Sequence, residues 1–301
     1  MGKIKTFLEN PQYFITSPAA KGWLNWVPDS IYLKLLYRVT TGEKCNLKNP
    51  VTYNEKLQWL KLHDRKPEYS NMVDKYEVRK IIENAIGGEY LIPCYGVYGS
   101  FDEIDFNKLP EQFVLKCTHD SGSVVICKDK KTFDLSAAKQ NLDAAMKRDY
   151  YSTYREWPYK YVKPRIIAEK FMVDESGDDL KDYKVMCFNG KAEVIEVHEN
   201  RFTEGKEHTQ TFYDREWKKL PIVQEGLMYV QEERAVPVLL PQILELSECL
   251  SKDMYHARID WYIINDKIYF GEITFFDGSG FESFPNREDN IYLGNLIKLD
   301  R

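Results

Sequence analysis

The chain has 301 residues, a mass of 35.5 kDa and a formal net charge of −5, from 42 Lys and Arg against 47 Asp and Glu, with a pI near 5.7. At roughly 150 residues per domain this length predicts about two domains with a sizeable core, and the acidic balance argues against a general nucleic-acid binder or a polybasic membrane-surface protein, both of which need a basic footprint. Hydrophobic residues at 43% and charged residues at 30%, with 16 Gly and 13 Pro, fit an ordinary folded protein and exclude collagen-like, low-complexity and disordered classes.

Lys3, Lys5 and Glu9 interrupt Met1 to Gln12, which therefore has no signal-peptide h-region, and no later run reaches the roughly 18 apolar residues of a transmembrane helix. A cytoplasmic protein is expected. The aromatic residues Tyr13, Phe14, Trp23, Trp26, Tyr32 and Tyr37 fall at helical spacing and are expected to pack into a core, the alternative being contact with a polysaccharide or lipid-linked acceptor. Helical faces follow at Ile31, Leu33, Leu35 and Leu36 and at Leu57, Trp59, Leu60 and Leu62, the second opened by Asn54 as N-cap. A further helix runs from about Tyr76 to Asn84 and ends at Gly87-Gly88.

From Glu111 the pattern turns to strands. Phe113 to Cys117 and Ser123 to Cys127 flank a small polar turn at His119-Asp120-Ser121-Gly122, which reads as a hairpin with a mobile tip. A helix from about Leu135 to Lys147, an aromatic and basic connector from Tyr150 to Lys163, and a strand from Arg165 to Val173 come next. Tyr183 to Phe188 and Lys191 to Val197 enclose Asn189-Gly190, a strong hairpin signal. A loop-rich stretch, a helix from about Gln242 to Lys252 and a last hairpin from Ala257 to Phe276 complete the reading: an α+β chain with an α-rich cap, a small α/β insert and a larger α+β body.

Several common sites are missing from the sequence: a P-loop, a dinucleotide-binding glycine motif, H-E-x-x-H and G-x-S-x-G. Cys45, Cys94, Cys117, Cys127, Cys187 and Cys249 form no C-x-x-C pair and read as buried free thiols. His63, His119, His198, His208 and His256 never fall at metal-ligand spacing.

The chemistry concentrates in the last hairpin. With Asn265-Asp266-Lys267 as the loop, Ile264 pairs with Ile268, Asp260 faces Glu272 and Arg258 faces Thr274, leaving Ile259, Trp261, Ile263, Tyr269, Ile273 and Phe275 for the core side. A two-residue loop would shift the pairing and separate the acids. Facing carboxylates repel, so either a divalent cation such as Mg²⁺ lies between them or Arg258 neutralises them. Upstream, Lys116 ends an apolar strand just before the loop His119 to Ser123, whose backbone N–H groups suit a phosphate.

The run Asn54-Glu55-Lys56-Leu57-Gln58-Trp59-Leu60, then Asp74-Lys75-Tyr76-x-Val78-Arg79, Lys116-Cys117-Thr118-His119-Asp120-Ser121-Gly122 and Gly271-Glu272-Ile273-Thr274-Phe275 resembles the TupA-like ATP-grasp family from about Asn54 to the C-terminus. The resemblance implies an ATP-grasp fold: a helical N-terminal cap over residues 1–110, a small lid subdomain over 111–168 and a central subdomain over 169–301, with a nucleotide gripped between the two subdomains. It further implies that Lys75 and Lys116 meet the ATP phosphates under the loop His119, Ser121, Gly122 and Ser123, and that Glu169, Lys170, Phe171 and Met172 form the hinge strand against adenine and ribose. Asp260 and Glu272 would hold Mg²⁺, with Thr274 where many relatives have Asn; Arg258 and Lys116 would act in catalysis, and Lys184 is either a phosphate contact or an exposed strand lysine.

The activity so implied is phosphorylation of a carboxylate by Mg-ATP and displacement of the phosphate by an amine, on a sugar acid of a bacterial capsular or teichuronic-type polysaccharide precursor. Such a protein would work in the cytoplasm, in peripheral association with a surface-polysaccharide assembly system. Two other classes stand beside this one: a glycosyltransferase of the same pathway using Asp178-Asp179, and a non-catalytic nucleotide-binding protein.

Overall fold

The computed structural model describes residues 10–174, 180–200, 205–230 and 232–300. Lys3, Lys5, Glu9 and the acidic pair Asp178-Asp179 lie outside them. In chain order the helices are α1 (Tyr13–Ala20), α2 (Asp29–Thr41), α3 (Tyr53–His63), α4 (Tyr69–Val73), α5 (Val78–Ala85), α6 (Leu135–Met146), α7 (Tyr150–Tyr154), α8 (Leu240–Leu250) and α9 (Arg287–Leu296). The strands are β1 (Cys94–Tyr98), β2 (Phe113–Cys117), β3 (Val124–Cys127), β4 (Ile166–Lys170), β5 (Asp182–Phe188), β6 (Lys191–Glu199), β7 (Thr209–Asp214), β8 (Lys219–Leu220), β9 (Met228–Tyr229), β10 (His256–Ile264) and β11 (Lys267–Thr274). The chain divides into two units, one from residues 1–32, 65–81 and 91–172, the other from 33–64, 82–90 and 173–301. No helix among the described residues is long and apolar enough to cross a membrane.

The first unit is built on an antiparallel sheet in the order β1-β4-β2-β3. Its inward face is set by alternation: Phe113, Leu115, Cys117, Ile166 and Ala168 are buried with Ala138, Leu142 and Ala145 of α6. The opposite face carries Lys116 and Glu169, because Leu115 pairs with Ala168 and the flanking pairs are Val114 with Glu169 and Lys116 with Ile167. In the connector from Tyr150, α7 and a 3₁₀ turn at Trp157–Tyr161 form, α7 capped by the Asp149 carboxylate accepting from Ser152 N.

The second unit holds a sheet in the order β11-β10-β5-β6-β7-β8, with β9 beside β7. Asn189 and Gly190 both take positive φ, as expected of the tight turn between β5 and β6. One face packs on α8, where Trp261 Nε1 donates to Ser247 Oγ at 2.8 Å. On the other, Tyr53 of α3 meets His256 of β10, with Oη and Nε2 2.9 Å apart. The N-cap of α3 is Thr52, not Asn54: Glu55 N donates to Thr52 Oγ1 and Thr52 N to the Glu55 carboxylate, a capping box. Strand β7 and helix α9 add to the elements read from sequence, and the N-terminal aromatics divide: Tyr32 and Tyr37 are buried, whereas Tyr13, Phe14, Trp23 and Trp26 are exposed, against the expectation of packing. The six thiols are free, four of them buried, but Cys94 is half-buried and Cys249 exposed.

Helix α9 sits against the start of α3 at Gly294, where an added Cβ would lie 2.3 Å from Val51 O and 2.7 Å from Tyr53 N. Backbone cannot yield as a side-chain tip can. Gly294→Ala is therefore expected to destabilise the protein by about 2 kcal/mol or more in denaturant unfolding; an unchanged unfolding midpoint would contradict this packing.

Candidate active site

The acidic hairpin combines both alternatives of the sequence reading. Its loop has two residues, Asn265 and Asp266, both at positive φ, so Ile264 pairs with Lys267 and Ile263 with Ile268. The pairing then shifts between Ile259 and Trp261, so that Gly271 and Glu272 together oppose Asp260, and Arg258 still faces Thr274. This bulge restores the register that the short loop displaces. Gly271 permits it, since a Cβ there would lie 3.0 Å from Asp260 O. Below the bulge it is Phe270, not Tyr269, that meets Trp261, with ring centroids 5.8 Å apart.

Arg258, 7% exposed, is the hub of this face. Its Nε donates to Asp260 Oδ1 at 2.7 Å and its NH2 to Oδ2 at 2.8 Å, a bidentate fork. Its NH1 meets Asp277 Oδ1, and NH2 lies 3.4 Å from Thr274 Oγ1 and 3.7 Å from Glu272 Oε1. Lys184 is buried, not an exposed strand lysine, with Nζ 3.5 Å from Asp260 Oδ2. It also stands opposite Glu196 across β5 and β6. Glu196 takes His198 Nε2 at 2.5 Å and the Gln210 amide, and His198 Nδ1 is 2.7 Å from His208 Nε2. Asp277, Glu196 and the two paired histidines are residues the sequence reading did not bring to the site.

The loop that presents Asp277 is held by polar side chains of α3. Gln58 Nε2 donates to Gly280 O at 2.7 Å, the buried Lys61 ammonium to Ser279 O at 2.7 Å, and Asn54 Nδ2 to Glu282 O at 2.7 Å. Gly278, Ser279 and Gly280 adopt positive φ in that turn. The Asn54-to-Leu60 motif thus serves as a bracket for the acidic loop.

Glu196, Asp260, Glu272, Asp277 and Glu282 outnumber the cations Lys184 and Arg258 around them. Burial works to raise Asp260, yet Arg258 and then Lys184 outweigh it and hold that carboxyl below its usual range. For Asp277 burial prevails over the pull of Arg258 and the carboxyl is raised; for Glu282 burial, with repulsion from Asp277 and Glu196, pushes it up to about 8. Glu196 Oε2 is buried without a hydrogen-bond partner among the described residues. Hard oxygen donors and an excess of acid are the chemistry that accepts Mg²⁺. Among the described residues no group of three or more His, Cys, Asp or Glu side chains is placed to hold a metal ion by itself.

In the first unit, Glu169 receives Lys116 Nζ at 3.1 Å and Arg79 NH1 at 3.3 Å. Lys75 Nζ donates to Asp120 O at 2.6 Å, so this lysine tethers the loop after β2. The loop is less mobile in build than its composition implies. His119 and Asp120 are buried, the Asp120 carboxylate accepts from the Ser123 hydroxyl and pairs with Arg148 at 3.3 Å, and Ser123 Oγ accepts from Cys117 N at 3.1 Å. Only Ser121 and Gly122 of this turn are exposed, Gly122 with φ of 87°. Burial lowers the His119 imidazole, which is neutral near pH 7. Glu169 and Lys170 lie on β4, Lys170 N donating to Pro93 O at 2.9 Å, while Phe171 and Met172 follow the strand and are half-buried.

The raised Glu282 carboxyl has a measurable consequence. An acid that holds its proton more tightly folded than unfolded stabilises least at high pH, so this group weakens the fold progressively from its ordinary value of 4.5 up to about 8. Glu282→Gln is expected to match the parent at about pH 5 and to exceed it increasingly as the pH rises, by about 1 kcal/mol or more at about pH 9, in thermal or denaturant unfolding. A pH-independent difference would contradict the acidic excess.

A profile of the TupA-like ATP-grasp family matches residues 55–298. A search of curated protein sequences returns no match. Among solved structures, the D-alanine–D-alanine ligase of Helicobacter pylori is similar at a TM-score of 0.43 and 15% identity, over 82% of this chain and 69% of that one. The D-alanine–D-alanine ligase of Bacillus anthracis solved with ATP gives 0.39 and 18%, over 67% of this chain and 54% of that one, so this chain spans about half of that ligase. The ATP-grasp ligase PsnB, solved with a phosphomimetic variant of its minimal precursor, Mg and ADP, gives 0.44 and 10%, over 99% and 74%. With residues 55–298 matched by the family profile and an α+β build, the chain belongs to the TupA-like ATP-grasp family.

Proposed function

We propose that this chain is a Mg-ATP-dependent carboxylate–amine ligase working through an acyl phosphate, and that the carboxylate belongs to a sugar acid of a capsular or teichuronic-type polysaccharide precursor. It acts in the cytoplasm, in peripheral association with the assembly system that consumes its product. The observation that carries this reading is the buried Arg258 hub with its surplus of carboxyl groups, on the strand pair where Asp260 and Glu272 converge.

Arg258 keeps Asp260 ionised and fixes both of its oxygens, while Lys184 adds a second positive charge beside it. Asp260 and Glu272 would hold Mg²⁺, with the Thr274 hydroxyl beside them, and the ion would neutralise phosphate oxygens during transfer. Lys116 and Lys75 meet phosphate as point charges, and the Ser121-Gly122 backbone presents N–H groups to it. A substrate carboxylate oxygen attacks the γ-phosphorus and the bond to the β-phosphate oxygen breaks, releasing ADP. The amine nitrogen then bonds to the acyl carbon, the carbon–oxygen bond to phosphate breaks, and the amine proton leaves to phosphate or water. No protein nucleophile is required, in keeping with a sequence that has no triad signature; positioning and charge neutralisation supply the rate.

A screen of sugar acids against amines, scored by phosphate and ADP release, tests the reading. A pair that releases both in equal amounts and yields an amide supports it. Sugar transfer from a nucleotide sugar without ATP use would instead assign a glycosyltransferase, and nucleotide binding without turnover across the screen a non-catalytic protein.

Two variants separate ligand binding from folding. The Glu272 side chain is 38% exposed and its contact to Arg258 is long, so Glu272→Gln should leave apo stability level or slightly raised. Mg-dependent ATP turnover should fall by roughly two orders of magnitude. A destabilised but fully active variant would remove the metal role. Lys116→Ala leaves Glu169 paired with Arg79, so the fold should persist while affinity for a non-hydrolysable ATP analogue drops about tenfold or more in calorimetry; unchanged affinity would reduce Lys116 to a strand lysine.

A further inference from the structure

The exposed aromatic residues of the first unit sit on a segment that is held, not slack. Phe14 on α1 is 61% exposed, and Trp23 and Trp26 on the turn after it are 66% and 81% exposed. That turn is anchored by Arg155, itself 1% exposed: its NH2 donates to Leu24 O at 2.8 Å, its NH1 to Asn25 Oδ1 at 3.3 Å, and its guanidinium lies over the Tyr32 ring at 4.2 Å. Ser152 Oγ donates to Asn25 Oδ1 at 2.9 Å, and Tyr32 Oη to Thr153 O at 2.7 Å. Buried polar groups on α7 and at its C-cap thus fix a turn whose two indoles face solvent. Leaving such apolar area wet is unfavourable relative to burial, a cost that contact with another surface would remove.

The surroundings narrow what that surface is. Helix α1 packs on α7, and the 3₁₀ turn that follows α7 carries Tyr161, 73% exposed, beside the exposed cations Lys160 and Lys163. Lys160 Nζ lies 5.6 Å from the Tyr161 ring centre, and Lys21 Nζ 5.1 Å from that of Trp23. Between residues 10 and 32 the single acid is Asp29, and it is engaged by Arg65 at 2.7 Å and Arg155 at 3.3 Å. A chain of net charge −5 therefore presents here indole, phenol and ammonium groups, with Asp29 drawn into ion pairs, Glu156 buried, and the exposed Asp149 at the α7 N-cap accepting from Ser152 N and Oγ. Trp and Tyr with an apolar body and a polar tip, interleaved with Lys, are the side chains that reside at a bilayer interface bearing negative headgroups.

We propose that Phe14, Trp23, Trp26 and Tyr161, with Lys21, Lys160 and Lys163, form a docking surface for an anionic phospholipid bilayer. The indoles insert at headgroup depth and the lysines meet lipid phosphate. This role does not rest on the ligase activity.

Sedimentation of the full chain with vesicles of phosphatidylcholine alone, and with about one third phosphatidylglycerol, tests the proposal. The protein is expected to pellet with the anionic vesicles, to be released in part by salt, and to stay in solution with the neutral ones. Trp23→Ala/Trp26→Ala should lower the bound-to-free ratio about tenfold or more at unchanged melting temperature, since both indoles are exposed. Lys160→Glu/Lys163→Glu should abolish the preference for anionic lipid. Equal partition of parent and tryptophan variant, or no binding of the parent to either vesicle, would overturn the proposal. So would tryptophan-dependent binding to soluble polyglucuronate in place of vesicles, which assigns the surface to a glycan, or a dimer lost in the variant without vesicle binding, which assigns it to a second copy.

Discussion

The second unit depends on the burial of one guanidinium. Arg258 cannot be left unpaired away from water, and the structure answers with Asp260 in a bidentate fork and Asp277 on a separate turn. Each answer has its own requirement. Asp260 can share the face with Glu272 and Thr274 only because Gly271 admits a bulge, and Asp277 can reach Arg258 only because its turn is pinned to α3 by Asn54, Gln58 and Lys61. A buried ion pair of this kind is weak evidence for stability, since an apolar set of the same shape is often as stable. It is better explained by what it maintains: Asp260 held below the usual carboxylate range beside Asp277 and Glu282, whose carboxyls burial raises.

The first unit meets the same constraint at smaller scale. Glu169 is buried on β4 and draws Lys116 and Arg79, while Asp120 is buried in the loop after β2 and draws Arg148 and Ser123. Lys75 adds a backbone tether at Asp120 O. Lys116, Arg79 and Arg148 are thus oriented by buried acids, and the exposed part of the loop is reduced to Ser121 and Gly122. Pre-oriented donors lose less conformational entropy when a ligand arrives than free lysines would.

Much of this was legible in the chain, and the failures share a cause. Alternation placed Arg258 and Asp260 on one face, and Asn189-Gly190 marked a turn, because both signals are local. Thr52 with Glu55 was a readable capping box that Asn54 obscured, and Asn286 before Glu288 and Asp289 was an unread start for α9. Asp277 and Glu196 could not be found locally, since a 3₁₀ turn and a different strand bring them to Arg258 and Lys184. Gly271 inside a strand was a signal for a bulge, yet the same residue fits an unbroken ladder. Helical spacing could not tell the buried Tyr32 from the exposed Trp26, because spacing reports a face and not what covers it.

The proposed role of Asp260 and Glu272 as holders of the divalent ion that accompanies ATP is open to direct test. The most direct measurement is a crystal structure with a non-hydrolysable ATP analogue and Mn²⁺, in which anomalous scattering locates the ion without reference to the surrounding density. A peak is expected about 2.1–2.3 Å from oxygens of Asp260 and Glu272 and in contact with nucleotide phosphate. A fully occupied nucleotide whose Mn²⁺ lies away from both carboxylates would contradict it.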